Sequence, residues 1–311
     1  MDGTTLIVPQ YGQPNCMATL LYGLIKHSRL KNRIIVVWSD PAYEGGGGAR
    51  DCMMDYNILI NENRAHGYQK YSSVQDYMMR KADFIKENNI EFVEITEQCA
   101  AFREEYKAGR IWKGNAVKPA PGIWEGGQDI AFKDNWGVNM AMSEWVMPNI
   151  DCDFYFTDGW DEIMLETMDG LGRARTIFVP TQMQPLQFEK MPHWPNIWDD
   201  CRVVACARLT MPIPWRSNNA VTEVEIEEFF KKTAQPAMLY EKPGLRDRLH
   251  HFPVLYRTEE LKKVIGLYNY QGAGYDLEID DRCGQLGFTK ISRRNVWCIH
   301  KAMPAIPDEL L

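Results

Sequence analysis

The sequence predicts an α/β fold built on a mainly parallel sheet. Three observations carry that reading. Two near-continuous β-branched runs, Thr4-Thr5-Leu6-Ile7-Val8 and Arg33-Ile34-Ile35-Val36-Val37-Trp38, flank a helix-periodic stretch from about Met17 to Leu30. Strands that are apolar on both faces suit a sheet covered on both sides by helices. Composition agrees, because the 311 residues are 45% hydrophobic and 25% charged, the balance of a globular chain and not of a disordered or fibrous one.

Further elements follow in order. Ser73 is placed to cap a helix carrying Val74, Tyr77, Met78, Ala82 and Ile85 at helical spacing, and Ile90 to Ile95 is a third strand. From Cys99 to Lys133 the chain is polar and rich in Gly, Pro and Trp, which reads as an irregular excursion. Asp153 to Phe156 is a strand that runs into Thr157-Asp158-Gly159-Trp160-Asp161-Glu162. Beyond it lie short strands at Thr176 to Val179 and Val203 to Ala205, and a capping box at Thr222 and Glu225. A helix from Thr258 to Ile265 and a last strand from Asn295 to Ile299, with His300 at its end, complete the pattern.

The net charge of −7, from 35 basic and 42 acidic residues, speaks against a nucleic-acid coat. No apolar run approaches the roughly 20 residues of a spanning helix. The opening lacks the basic and long apolar regions of a signal peptide, so the expected location is cytoplasmic. The eight cysteines form no Cys-x-x-Cys pair, and buried or free thiols are expected.

Chemistry is expected where acids follow strands, because ligands of open α/β sheets bind beyond the carboxyl ends of the strands. Ser39-Asp40, Asp158-x-x-Asp161 and the segment Asp276 to Arg282 are the acidic clusters that qualify. A carboxylate pair suits a hard divalent cation that leaves positions open for phosphate oxygens. The glycine run Gly45 to Gly48, followed by Arg50, lacks the Gly-Lys-Ser/Thr end of a P-loop and reads as a flexible loop. The aromatic stretch Trp194 to Trp198 and Trp160 are candidates for stacking on a sugar or base.

Several segments together resemble glycosyltransferase family 2 and its relatives with the GT-A fold. Thr5 to Tyr11 is similar to that family's first strand and Pro-x-Tyr turn, and Ile34 to Asp40 to its second strand with a terminal Asp. Asn135 to Met142 resembles its Asn-x-Gly-x-x-x-Ala segment. Phe252 to Tyr268 resembles its acceptor-side strand and helix, and Tyr275 to Gly287 keeps the spacing of its Glu-Asp motif. The resemblance implies a single GT-A unit, with a Rossmann-like nucleotide-sugar-binding half over 1–162 and a smaller acceptor-side half over 163–311.

It further implies Asp158, Asp161 and His300 as ligands of Mn2+ or Mg2+, and Asp276 as the general base. Pro9, Tyr11, Asp40, Asn139, Trp160 and Arg282 are expected at the substrate. The implied reaction moves a sugar from a nucleoside diphosphate sugar, most simply a UDP-sugar, to the hydroxyl of a glycan, lipid, protein or modified nucleic acid. This sequence departs from the pattern in having two residues between Asp158 and Asp161, Tyr275 before Asp276, and Ser39 before Asp40. A catalytically silent nucleotide-sugar-binding protein and a nucleotidyltransferase are the alternatives, the latter disfavoured because Pro9 to Pro14 carries no basic residue.

Overall fold

The computed structural model describes residues 3–10, 14–39, 71–108, 126–150, 154–183, 239–243, 253–265, 282–293 and 295–300, together with Val224, Glu227, Ile279 and Leu310. In chain order the elements are β1 (Thr5–Gln10), α1 (Pro14–His27), β2 (Arg33–Trp38), α2 (Val74–Arg80), α3 (Ala82–Glu87), β3 (Ile90–Glu94), α4 (Thr96–Lys107), α5 (Gly126–Met140) and β4 (Trp145–Met147). They continue with β5 (Phe154–Phe156), α6 (Trp160–Leu171), β6 (Thr176–Phe178), β7 (Thr181–Met183), β8 (Leu239–Pro243), β9 (Tyr256–Arg257), α7 (Thr258–Ile265), β10 (Thr289–Arg293) and β11 (Trp297–His300). The predicted elements at 203–205 and 222–225, the glycine run at 45–48 and the aromatic stretch at 194–198 lie outside the described residues.

Among the described residues the main sheet has the order β3-β2-β1-β4-β9. β1, β2, β3 and β4 are parallel, and only β9 is antiparallel, so the predicted α/β architecture is present. Strand periodicity explains how its faces divide. Leu6, Val8, Ile34 and Val36 meet Met17, Leu20, Leu21 and Leu24 of α1 on one face, while Ile7, Ile35 and Val37 meet Val138 of α5 on the other. α1 begins with Pro14 at the first helical position, where no N–H is needed, and ends with Lys26 and His27, which suit the negative end of the helix. As the sequence indicates, Ser73 caps α2, its Oγ accepting the Asp76 N–H at 3.0 Å.

Within the expected excursion over 99–133, residues 99–107 and 126–133 are instead helical, in α4 and α5, while 109–125 lie outside the described residues. Further along α5, Gly137 has a packing role. A Cβ at that position would lie 2.4 Å from Cγ2 of Ile7, so the glycine is what lets α5 lie against β1. Ile7 is fully buried and has no room to give. Gly137→Ala is therefore expected to add strain near the upper end of about 1–3 kcal/mol, against about 1 kcal/mol gained in helix propensity. A net loss of about 2 kcal/mol should appear in urea unfolding, whereas a stabilised variant would refute the close approach.

Two three-stranded sheets complete the fold, ordered β6-β10-β8 and β5-β11-β7. β5 does not join the main sheet. It packs on α1, where Tyr155 Oη and His27 Nε2 are 2.6 Å apart in a buried contact. Strands late in the chain thus pair with early ones: β9 with β4, and β11 with β5. Cys99, Cys283 and Cys298 are buried free thiols, as expected for the cysteines that are described. No helix among the described residues is long and apolar enough to cross a membrane.

Candidate functional site

β2 and β3 lie to one side of β1, and β4 lies to the other. The connections therefore leave β1 in opposite directions, which opens a crevice at the carboxyl ends of β1 and β4. Pro9 and Gln10 end β1 there, with Pro9 buried and in register with Val37. After β4 the chain keeps along β1, because the Ile150 N–H donates to the Ile7 carbonyl at 3.1 Å.

Polar groups collect around this edge. The Lys133 side chain is fully buried, and its Nζ donates to the Gln10 carbonyl at 2.8 Å. Its neighbour Asp134 accepts the Asn149 N–H through Oδ1 at 2.8 Å, and Asn149 holds a left-handed φ of 58°. Both amide atoms of Gln10, Nε1 of Trp38, Nδ2 of Asn135 and Oδ1 of Asn149 are buried without a hydrogen-bond partner. Each such orphan costs about 1–3 kcal/mol. Natural folds retain few of them, and a bound water, ion or ligand is one way to satisfy them.

Three sequence-predicted residues lie away from this crevice. Asp161 is 1% exposed, and its carboxylate accepts the N–H groups of Arg29, Leu30 and Glu162 at 2.9, 3.1 and 2.9 Å and Nδ2 of Asn32 at 2.8 Å. Arg29, Leu30 and Asn32 belong to the turn that enters β2, at the amino edge of the main sheet, while Glu162 follows Asp161 in α6. Asp158 is exposed and ion-paired with Arg29 at that same edge. The two acids thus tie the start of α6 to that turn. The reason is topological: the strand they follow, β5, runs back across α1 instead of joining the parallel sheet. Trp160, expected on the substrate, is 1% exposed and packs on Phe156 with ring centroids 4.6 Å apart, so it is core.

Asn139 is exposed near the end of α5, again toward the amino edge, where Arg33 Nη1 donates to the adjacent Met140 carbonyl at 3.0 Å. Arg282 is half-buried in a short helical turn whose next residue, Cys283, is fully buried. Tyr11, Asp40 and Asp276 lie outside the described residues. His300 ends β11, in register with Phe154, and so adjoins the start of β5 instead of Asp158 and Asp161.

Sequence reasoning missed the segment between β4 and β5, which reads Asp151-Cys152-Asp153 and lies outside the described residues. The available signal was Trp145-Val146-Met147, a short apolar run followed closely by two acids one residue apart. It also missed Lys133 and Asp134, which stand immediately before the Asn135-x-Gly137 motif. No group of three or more His, Cys, Asp or Glu side chains suited to a metal occurs among the described residues.

No family model and no curated protein matches the chain. Solved structures that are similar include S. aureus TarS, at 11% identity and a TM-score of 0.45, over 96% of this chain and 36% of that one. GalNAc-T7 with UDP, GalNAc and Mn2+ is similar at 10% identity and a TM-score of 0.44, over 96% of this chain and 44% of that one. A mycobacterial protein follows at 10% identity and a TM-score of 0.37, over 99% and 70%. The chain thus spans less than half the length of the first two, and the likeness assigns no residue a role.

Proposed function

We propose that the chain is a glycosyltransferase that binds a nucleoside diphosphate sugar in the crevice between β1 and β4 and passes the sugar to an acceptor hydroxyl. One observation carries the reading. The chain leaving β4 is held to β1 through Ile150 and then reads Asp151-Cys152-Asp153, while β11 sets His300 in register with Phe154, the very next residue. In sequence, Asp151 and Asp153 thus stand between Ile150, tied to β1, and Phe154, in register with His300.

The chemistry of that donor set, two carboxylates and an imidazole, fits a divalent cation such as Mn2+ or Mg2+. Asp151, Asp153 and His300 would hold it, and the cation would offset the charge that develops on a departing diphosphate. Pro9, Tyr11 and Asp40, at the ends of the two central strands, would line the nucleoside. Arg282 would sit toward the substrate. Asp276 would take the proton of the acceptor hydroxyl, a poor nucleophile while protonated. A UDP-sugar is the donor we favour, and the acceptor class stays open among glycan, lipid, protein and modified nucleic acid.

A thermal-shift panel of UDP, GDP, CDP and ADP, each with and without Mn2+, tests the donor site. A ligand at ~100 times its Kd stabilises by about 2.7 kcal/mol, which moves a chain of this size by several degrees. One diphosphate should shift the protein only when Mn2+ is present. Asp276→Asn should then abolish transfer and spare that shift. Shift without transfer in the unmodified protein would favour the silent binder, and a flat panel would end the donor reading.

A further inference from the structure

We infer that Lys133 and Asp134 form a clamp across the crevice: two positioning residues on one helix that hold the ends of β1 and β4 and thereby set the affinity for a metal-bound diphosphate. The inference rests on the donor site proposed above. It names residues that the sequence resemblance does not single out.

The geometry is specific. Lys133 Nζ bonds the carbonyl of Gln10, the last residue of β1, while Asp134 Oδ1 bonds the N–H of Asn149, just beyond β4. Successive residues on an α-helix point about 100° apart. One rigid backbone can therefore reach to both sides of the opening. One turn further along α5, Gly137 seats the helix directly on Ile7, and the carbonyl of that same Ile7 receives the Ile150 N–H. The helix, β1 and the segment after β4 are thus tied at adjoining points.

Charge makes the arrangement informative. Lysine and aspartate are among the residues least often buried, and moving an ion out of water costs several kcal/mol. Here Lys133 is 0% and Asp134 4% exposed. Apolar side chains would pack α5 against the sheet at least as well, as Val138 and Ala141 do one and two turns along. What apolar groups cannot do is bond a strand-end carbonyl on one side and fix a left-handed Asn149 on the other. That left-handed residue stands two positions before Asp151 in sequence.

The test compares Lys133→Met, Asp134→Ala and Asp134→Asn in the full chain by two measurements. Hydrogen exchange of peptides covering 7–10 and 149–150 reads the clamp without any ligand. Calorimetric titration of UDP in the presence of Mn2+ reads its consequence in the folded protein, with melting temperature followed in parallel. Asp134→Ala should speed exchange at 149–150, and Lys133→Met at 7–10. Each should weaken metal-dependent UDP binding about 10- to 100-fold, the usual loss when a group that orients metal ligands is removed. Asp134→Asn, which keeps an acceptor oxygen, should stay near the unmodified protein in both.

A lower melting temperature with unchanged affinity would reduce the pair to packing and overturn the inference, as would unaltered exchange at 149–150 in Asp134→Ala. If the unmodified protein binds no metal-dependent diphosphate, the donor reading falls. The exchange result then decides the clamp alone: faster exchange supports it and unaltered exchange removes it. Should Asp134→Ala fail to fold, Lys133→Met and Asp134→Asn carry the comparison.

Discussion

Asp161→Ala is expected to lower the unfolding free energy by about 3–5 kcal/mol, the range for removing one partner from a buried charged network. The carboxylate serves three main-chain N–H groups and the Asn32 amide, and alanine would strand those donors at a site only 1% exposed. Asp158→Ala removes an exposed pair with Arg29 and should cost no more than about 1 kcal/mol. Urea titration of both variants separates the two. Neither substitution should alter Mn2+-dependent diphosphate binding by the folded protein, because both acids sit at the amino edge of the sheet. Full stability together with lost binding in Asp161→Ala would return this residue to the metal site.

The opposite pattern is expected one loop earlier. Asp153→Asn should leave the melting temperature of the free protein near its starting value and weaken metal-dependent diphosphate binding by at least about 100-fold, more than loss of a supporting group usually does. On the proposed reading transfer should fall in parallel, since a cation held there would offset charge on a leaving diphosphate. Titration of UDP with and without Mn2+ measures this directly. Unimpaired binding in both Asp151→Asn and Asp153→Asn would refute the assignment of the metal to this segment. Taken together, the Asp161 and Asp153 variants dissociate stability from binding at two pairs of acids ten residues or fewer apart in sequence.

The parts of the fold that were legible are those governed by local rules. β1, α1 and β2 announce themselves through β-branched runs and helical spacing, Ser73 through the residue type at a cap, and Thr258–Ile265 through acids at its start and lysines near its end. What failed required knowledge of distant packing. The need for glycine at 137 shows only once Ile7 is seen beside it. Phe154–Phe156 reads as a strand but does not reveal which sheet it joins, so the place of the acids after it, at the amino edge of the main sheet, was not legible. β4 has three residues, too few to stand out as an apolar run, so the acids that follow it passed unnoticed. Lys133 and Asp134 look like ordinary surface charges on a helix, and only their burial marks them.

The pairing of β11 with β5 bears on the order in which the molecule is made. β1, β2 and β3 associate with neighbours close in sequence, whereas His300 meets Phe154 from nearly half the chain away. Contacts of long sequence separation carry a larger closure entropy and form late. A chain emerging from the ribosome can thus build its parallel core well before β11 exists. Until that strand arrives, His300 is absent from the side of Phe154, so the pairing that closes the β5-β11-β7 sheet is among the last to form.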